Sequence, residues 1–446
     1  MKHIDSRRIY ALNRAGDTVG PVVYWMSREQ RVRDNWGLLH ARFAAGESRQ
    51  LAVVFCLMKS YPGAALRHYD FMLRGLEEVE SSLAELGIPF LLRTGNPESE
   101  IPALAGEIGA GLIVTDFDPL RIKRQWQGRI AKQLEISLLE VDGHNVVPAR
   151  FVSDKREYAA RTFRPKVQKL LPEFLTDFPD LLPMRGESLP IARTDWGAAR
   201  DYIDVDRGVG PVSLVPGESA ARNRLEGFIS KQLSYYAEQR NDPNADAVSG
   251  LSPYFHFGQL APQRAAFEVA HSGVGMNQEA YLEELVVRRE LSDNFCLHSP
   301  AYDSLEAAPE WALKTLGECT GDSRSYVYSQ DEFERAATHS ALWNAAQNQL
   351  LRSGSMHGYM RMYWAKKVLE WSASPEAALD TVNMLNDRYA LDGRDPNGYV
   401  GALWSIAGLH DRPWKKRPVF GSVRYMNEKG CRRKFDVDRY IERWGA

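Results

Sequence analysis

Five short, nearly all-apolar runs mark the first third of the chain: Val22–Met26, Leu51–Cys56, Pro89–Leu92, Leu112–Thr115 and Leu138–Val141. Continuous rather than alternating hydrophobicity is what a strand needs when helices cover both of its faces. Amphipathic stretches such as His68–Leu86 lie between the runs. Strand and helix therefore alternate, which predicts an α/β domain built on a parallel, Rossmann-like sheet. No GxGxxG follows the first run, so the dinucleotide fingerprint is missing. The crevice at the carboxyl ends of such strands still offers room for a small cofactor.

From Ser219 onward strand-like runs almost vanish, and helical periodicity broken by Gly, Pro and Asn takes over. The expected division is an α/β domain over residues 1–150, an interdomain connection over 151–218, and an all-α domain over 219–446. The connection opens with a basic, aromatic stretch, Lys155–Lys169, and ends in the Gly/Pro-punctuated segment Gly208–Gly217. A chain of 446 residues is more than one hydrophobic core usually serves, which agrees with two domains.

A formal net charge of -2 argues against a uniformly basic nucleic-acid binder but leaves room for a local basic surface. The four cysteines show no CxxC spacing and read as reduced thiols. The ten histidines show no HxxxH, so no metal is expected. Neither a signal-like start nor a membrane-length apolar run is present, so the expectation is a cytoplasmic monomer with no membrane contact.

Four segments could carry chemistry. In Val248-Ser249-Gly250-Leu251-Ser252-Pro253, Ser252 reads as an N-cap with proline at the first helical position, and Gly250 permits close approach of an anion. Residues Asn386–Gly398 are dense in polar, turn-forming types yet flanked by apolar helices, so a buried version must pair every charge. Trp364 and Trp371 lie seven residues apart on one helical face, with Trp343 in the preceding helix; on pattern alone they read as core packing. Glu283 and Glu284 are adjacent, so on a helix they point about 100° apart and cannot both face one bond. Beyond them, Asp411–Lys434 interleaves basic residues with Trp414 and Tyr425, a pattern that suits nucleic acid.

The words MHGYMRMYWAKK (356–367), LNDRYALDGRDPNGY (385–399) and LSPYFHFGQ (251–259) closely resemble the class II cyclobutane pyrimidine dimer photolyases, and the resemblance runs from about Gly20 to Tyr440. It implies light-driven repair of UV-damaged DNA by electron transfer from FAD, active as FADH⁻, to an extruded dimer. It implies a flavin-diphosphate loop at Val248, Ser249, Gly250, Leu251 and Ser252, with Tyr236 as a further contact. Asn386 then faces flavin N5, Arg361 pairs with Asp392, and Trp364, Trp343 and Trp371 pass electrons inward. Glu284 meets the damaged base, Trp404 stacks on it, and Arg240, Asn241, Arg412 and Trp414 hold the DNA. Arg288 departs from the family, where many members carry a Trp nearby. A second, antenna chromophore is left open and unidentified. Two other readings stand beside repair: a cryptochrome-like blue-light photoreceptor on the same fold, and a flavin-free nucleotide- or RNA-binding protein.

Overall fold

The computed structural model describes residues 4–185 and 188–445. The five apolar runs form strands β2 (Val22–Met26), β3 (Leu51–Leu57), β4 (Phe90–Thr94), β5 (Leu112–Asp116) and β6 (Ser137–Val141). With β1 (Ile9–Ala11) they make a sheet in the order β1-β6-β5-β2-β3-β4, parallel throughout except for β1 against β6. β1 escapes the sequence reading because it is three residues long and half-exposed, so no apolar run marks it.

Alternate residues of each strand feed opposite faces. Tyr24 and Val53 belong to one core, Val23, Trp25 and Val54 to the other, each beneath its own helices. All five residues of β2 and all seven of β3 are buried, which explains their unbroken hydrophobicity. At the carboxyl end of β5, Asp116 accepts from the backbone N–H groups of Ser27, Arg28 and Glu29 at 2.8, 2.9 and 3.0 Å. Those bonds fix the loop after β2 and aim its arginines at the helical part.

Residues 151–218 carry the helix Ala160–Phe174 and the short helix Trp196–Tyr202. Phe163, Val167 and Phe174 of the former share a core with Phe228, Tyr254 and Leu285 of the later helices. A further core gathers Trp343, Trp364 and Trp371 with the apolar faces of the helices Pro375–Tyr389 and Pro396–Ala407.

Buried arginines of the α/β layer tie it to the helical one. Arg28 makes a two-pronged bridge to Asp293 at 2.8 and 3.0 Å. Arg31 donates to the Gly258 carbonyl at 3.0 Å, and Arg67 to those of Tyr389 and Leu351 at 2.8 Å each. Bidentate guanidinium–carboxylate geometry satisfies both charges where water is excluded.

Candidate cofactor and DNA site

A cavity of about 690 Å³ opens within the helical layer, inside the range of cofactor sites. Its wall joins segments remote in sequence: Tyr236, the whole Val248–Ser252 loop, Glu284, Arg361 and Asp392. Of the residues assigned to flavin by resemblance, only Asn386 is not on the wall, and it lies directly behind it. A Cβ on the wall residue Gly398 would come within 2.9 Å of the Asn386 amide nitrogen, so glycine there brings that amide to the cavity.

The Val248–Ser252 loop is braced from behind. Arg224 donates to the carbonyls of Ser249 at 2.6 Å and Val248 at 3.3 Å. Gly250 has φ +65°, and a Cβ there would meet the Arg224 guanidinium at 3.1 Å, so two separate constraints require glycine. The expected capping role of Ser252 is corrected. The helix runs Ser252–His256 with Leu251 at the cap and no side-chain cap bond, because the turn at Gly250 delivers Ser252 already inside the helix. Its hydroxyl is therefore not committed to capping.

Arg361 reaches Asp392 at 3.0 Å on the cavity wall. Arg289, which sequence reasoning missed, also lines the cavity. It donates through Nη2 to the His144 carbonyl at 2.7 Å and through Nε to the Leu285 carbonyl at 3.2 Å. Its Nη1 is buried with no partner among the described residues. A guanidinium on the wall beside the free Ser252 hydroxyl and the Gly250 turn suits an anionic group such as a diphosphate, so the donor set fits FAD. Nothing in the sequence distinguishes it from its neighbour Arg288, which is half-exposed.

Glu284 sits on a π-helical turn, Glu283–Arg288, a device common at functional sites. The π spacing matches residues five apart, and Arg288 accordingly bonds Glu283 at 3.1 Å. Arg164 takes the same carboxylate at 2.6 and 2.9 Å. Glu284 is thereby released toward the cavity, where Arg240 holds it at 2.7 Å. Asn241 is exposed.

Trp404 does not line the cavity. It lies two turns along the helix Pro396–Ala407 from the wall residue Asn397, about 10 Å farther on. Lys366 Nζ lies 4.9 Å from its ring centre and the Arg424 guanidinium 5.4 Å. The same guanidinium lies 4.3 Å from the Trp414 ring centre and bonds Asp411 at 3.0 Å, so Arg424 is clamped between the two tryptophans. Arg412 is exposed, its guanidinium 5.6 Å from the Trp414 ring, and Trp414 is 41% exposed.

Trp364, Trp343 and Trp371 form a chain of ring contacts with Trp343 in the middle. Trp364 and Trp343 stack with centroids 6.2 Å apart at 9°, and Trp343 meets Trp371 at 6.3 Å and 66°. The indole of Trp364 donates to Gln347 and that of Trp343 to the Trp364 carbonyl, each at 3.0 Å, which fixes both rings. Trp371 is itself buried, beneath Tyr328 and His339. No cluster with metal-ligand character occurs among the described residues, all four cysteines are free, and no helix is long and apolar enough to cross a membrane.

A largely parallel sheet followed by a helical layer that holds a large cavity is the two-domain fold of photolyases and cryptochromes. A class III photolyase from Agrobacterium tumefaciens superposes with a TM-score of 0.68 at 20% identity, covering 96% of this chain and 86% of that one. A Synechocystis cryptochrome gives 0.71 at 18%, covering 95% and 88%. The family model described as DNA photolyase matches residues 22–184. Deoxyribodipyrimidine photo-lyases from Potorous tridactylus and Arabidopsis thaliana are 49% and 47% identical, covering 94% and 95% of this chain and 80% and 88% of their own. One from Methanothermobacter thermautotrophicus is 41% identical, covering 95% and 94%. The chain belongs to the DNA photolyase family.

Proposed function

We propose that this protein repairs cyclobutane pyrimidine dimers in DNA, using light and a reduced FAD held in the large cavity. The observation that carries this reading is the cavity wall. One cavity collects a braced glycine loop, an Arg–Asp pair, the Arg289 guanidinium and Glu284, which Arg240 holds. When bound, the reduced flavin, excited by light, supplies the electron whose arrival in an antibonding orbital of the dimer removes most of the barrier to ring opening.

The chain's own groups supply binding, orientation and charge. Ser249, Ser252 and Arg289 hold the diphosphate, the Arg361–Asp392 pair and Asn386 orient the ring system, and Tyr236 closes one side. Glu284 with Arg240 meets the base, and Trp404 offers a stacking face. Arg412 and Trp414 stand where the opened strands would be held, and a poorly stacked dimer costs only a few kcal/mol to extrude. Trp364, Trp343 and Trp371 conduct an electron inward to keep the cofactor reduced. Relatives above 40% identity named as photo-lyases favour repair over photoreception.

An antenna chromophore has less support. The cavity at the carboxyl ends of the strands, lined by Trp25, Tyr61 and Trp126, measures about 140 Å³. Such ligands usually occupy about 300 Å³ or more, so the space does not fit one.

The test is an absorption spectrum of the purified protein, followed by illumination with a dimer-containing oligonucleotide after chemical reduction. Bound FAD and restored thymines are expected. A protein that contains no flavin after flavin-replete expression overturns the reading.

A further inference from the structure

Of the basic segment Lys155–Lys169, only Arg164, through Glu283, belongs to the site described so far. The segment's one buried acid is already used: Glu157 accepts from Lys166 at 2.6 Å and Ser153 at 2.7 Å. Asn294, fully buried, clamps the loop by accepting from the Glu157 N–H at 2.8 Å and donating to the Lys155 carbonyl at 3.0 Å. The loop is thus pinned to the helix Arg289–His298, which continues the π turn bearing Glu284. Lys155, Arg156, Arg161 and a 59%-exposed Tyr158 point outward from it. None of the three cations has a carboxylate partner among the described residues.

Arg156 is placed with particular care. Its Nη2 donates to the Ala307 carbonyl at 2.6 Å, and its guanidinium lies 4.8 Å from the centre of the Phe295 ring. His410 meets the same ring edge-on at 5.7 Å and 88°. His410 has φ +61°, a conformation a non-glycine residue adopts only when its surroundings enforce it. Two residues later comes Arg412, at the start of the loop that carries Trp414. In the other direction, Arg288 lies two turns before Phe295. One ring therefore joins three cationic positions: Arg412 beyond His410, Arg156, and Arg288 beside Glu284. Burial and the nearby Arg156 and Arg288 push His410 down to about 3, so it adds packing and no charge. Of the two acids beside them in sequence, Asp154 is exposed and Glu157 is taken by Lys166 and Ser153.

We infer that Arg156, with Lys155 and Arg161 beside it, binds backbone phosphates of the duplex flanking the extruded dimer, extending the DNA surface from the helical layer onto the interdomain segment. A duplex carries one charge per roughly 1.7 Å of its axis, so a guanidinium with no carboxylate partner, seated on Phe295 and the Ala307 carbonyl, meets a phosphate without reorganising. The inference rests on the repair reading.

The test measures binding of a dimer-containing duplex by wild type, Arg156→Met and Lys132→Met as a function of salt. Methionine keeps the stem over Phe295 and removes the charge, and Lys132 is exposed on the far α/β helix Arg121–Gln133. Wild type must bind first; failure there sinks the repair reading itself. Given that, Arg156→Met should flatten the slope of log K against log salt by about 0.9, the value of one phosphate contact. Flavin spectrum, melting temperature and affinity for a dimer-containing trinucleotide should stay unchanged. An unchanged slope, an equal loss in Lys132→Met, or an equal loss for the trinucleotide each overturns the inference. A folding defect in Arg156→Met would transfer the decision to Lys155→Ala with Arg161→Ala, for which a flattening of nearly two contacts is expected and no change refutes it.

Discussion

Arg240 Nη1 lies 2.7 Å from Glu284 Oε1, so the carboxylate aimed at the cavity is already engaged. An ionised carboxylate only accepts hydrogen bonds, whereas a protonated carboxyl donates one and keeps its other oxygen free to accept. Glutamine at this position donates without a proton. Glu284→Gln should therefore keep most of the repair yield per absorbed photon, whereas Glu284→Ala should lower it about tenfold, the worth of one good hydrogen bond. Quantum yield measured at saturating DNA separates the two. Equal losses would mean that the carboxylate serves to hold Arg240.

Trp364→Phe should abolish photoreduction of the oxidised protein while sparing repair by protein reduced chemically. The reason is geometric: Trp364 reaches Trp343, and Trp343 reaches Trp371, but no contact joins Trp364 to Trp371. Transient absorption and a repair assay on the same preparation check both halves. Wild-type photoreduction in the variant would exclude this route.

Trp404→Ala should weaken preference for dimer-containing over intact DNA by about 1–3 kcal/mol, one base–aromatic stack. Arg424→Ala, which removes the clamp between Trp404 and Trp414, should shift the same preference by less and should also weaken intact duplex. Titration of both DNAs with both variants resolves the difference.

Gly250→Ala should release flavin. It imposes a left-handed backbone on a residue with a Cβ, at about 1–2 kcal/mol, and crowds Arg224. The flavin-to-protein absorbance ratio after gel filtration reads the outcome, and full occupancy would show that the loop does not bear on the cofactor.

Lys366 is fully buried, donates to the Ser405 carbonyl at 2.5 Å, and burial pushes it down to about 7, with Asp411 opposing and Arg424 adding. Its unfolded value is near 10.4, so between about pH 7 and 10 the unfolded chain binds the extra proton and stability rises with pH. Below about 7 the full penalty for the buried cation applies. Lys366→Met should flatten this slope and raise stability at neutral pH by on the order of 2 kcal/mol. Chemical denaturation at several pH values is the measurement.

The parallel strands were legible because burial on both faces leaves no polar position to interrupt the run, as in Leu51–Leu57. The edge strand Ile9–Ala11 left no such mark. Within the site, Arg361 with Asp392 and the Val248–Ser252 loop could be named from their motif words. Arg289 and the Glu284–Arg240 pair could not. Which of two adjacent arginines is buried depends on a π turn, and which carboxylate meets Arg240 depends on packing between segments 44 residues apart. Ser252 shows the same limit, since a capping pattern cannot reveal that the preceding glycine has already turned the chain into the helix.

The Arg28–Asp293 bridge has both side chains nearly shut off from water, 6% and 0% exposed. Separating the sheet from the helices would break this buried pair and open to water the packed surface that shields it. Neither half is then a self-sufficient folding unit. Heating should give a single cooperative melting transition despite two kinds of architecture. A protease cut in the exposed segment between them should leave two fragments that co-elute and lose their structure together.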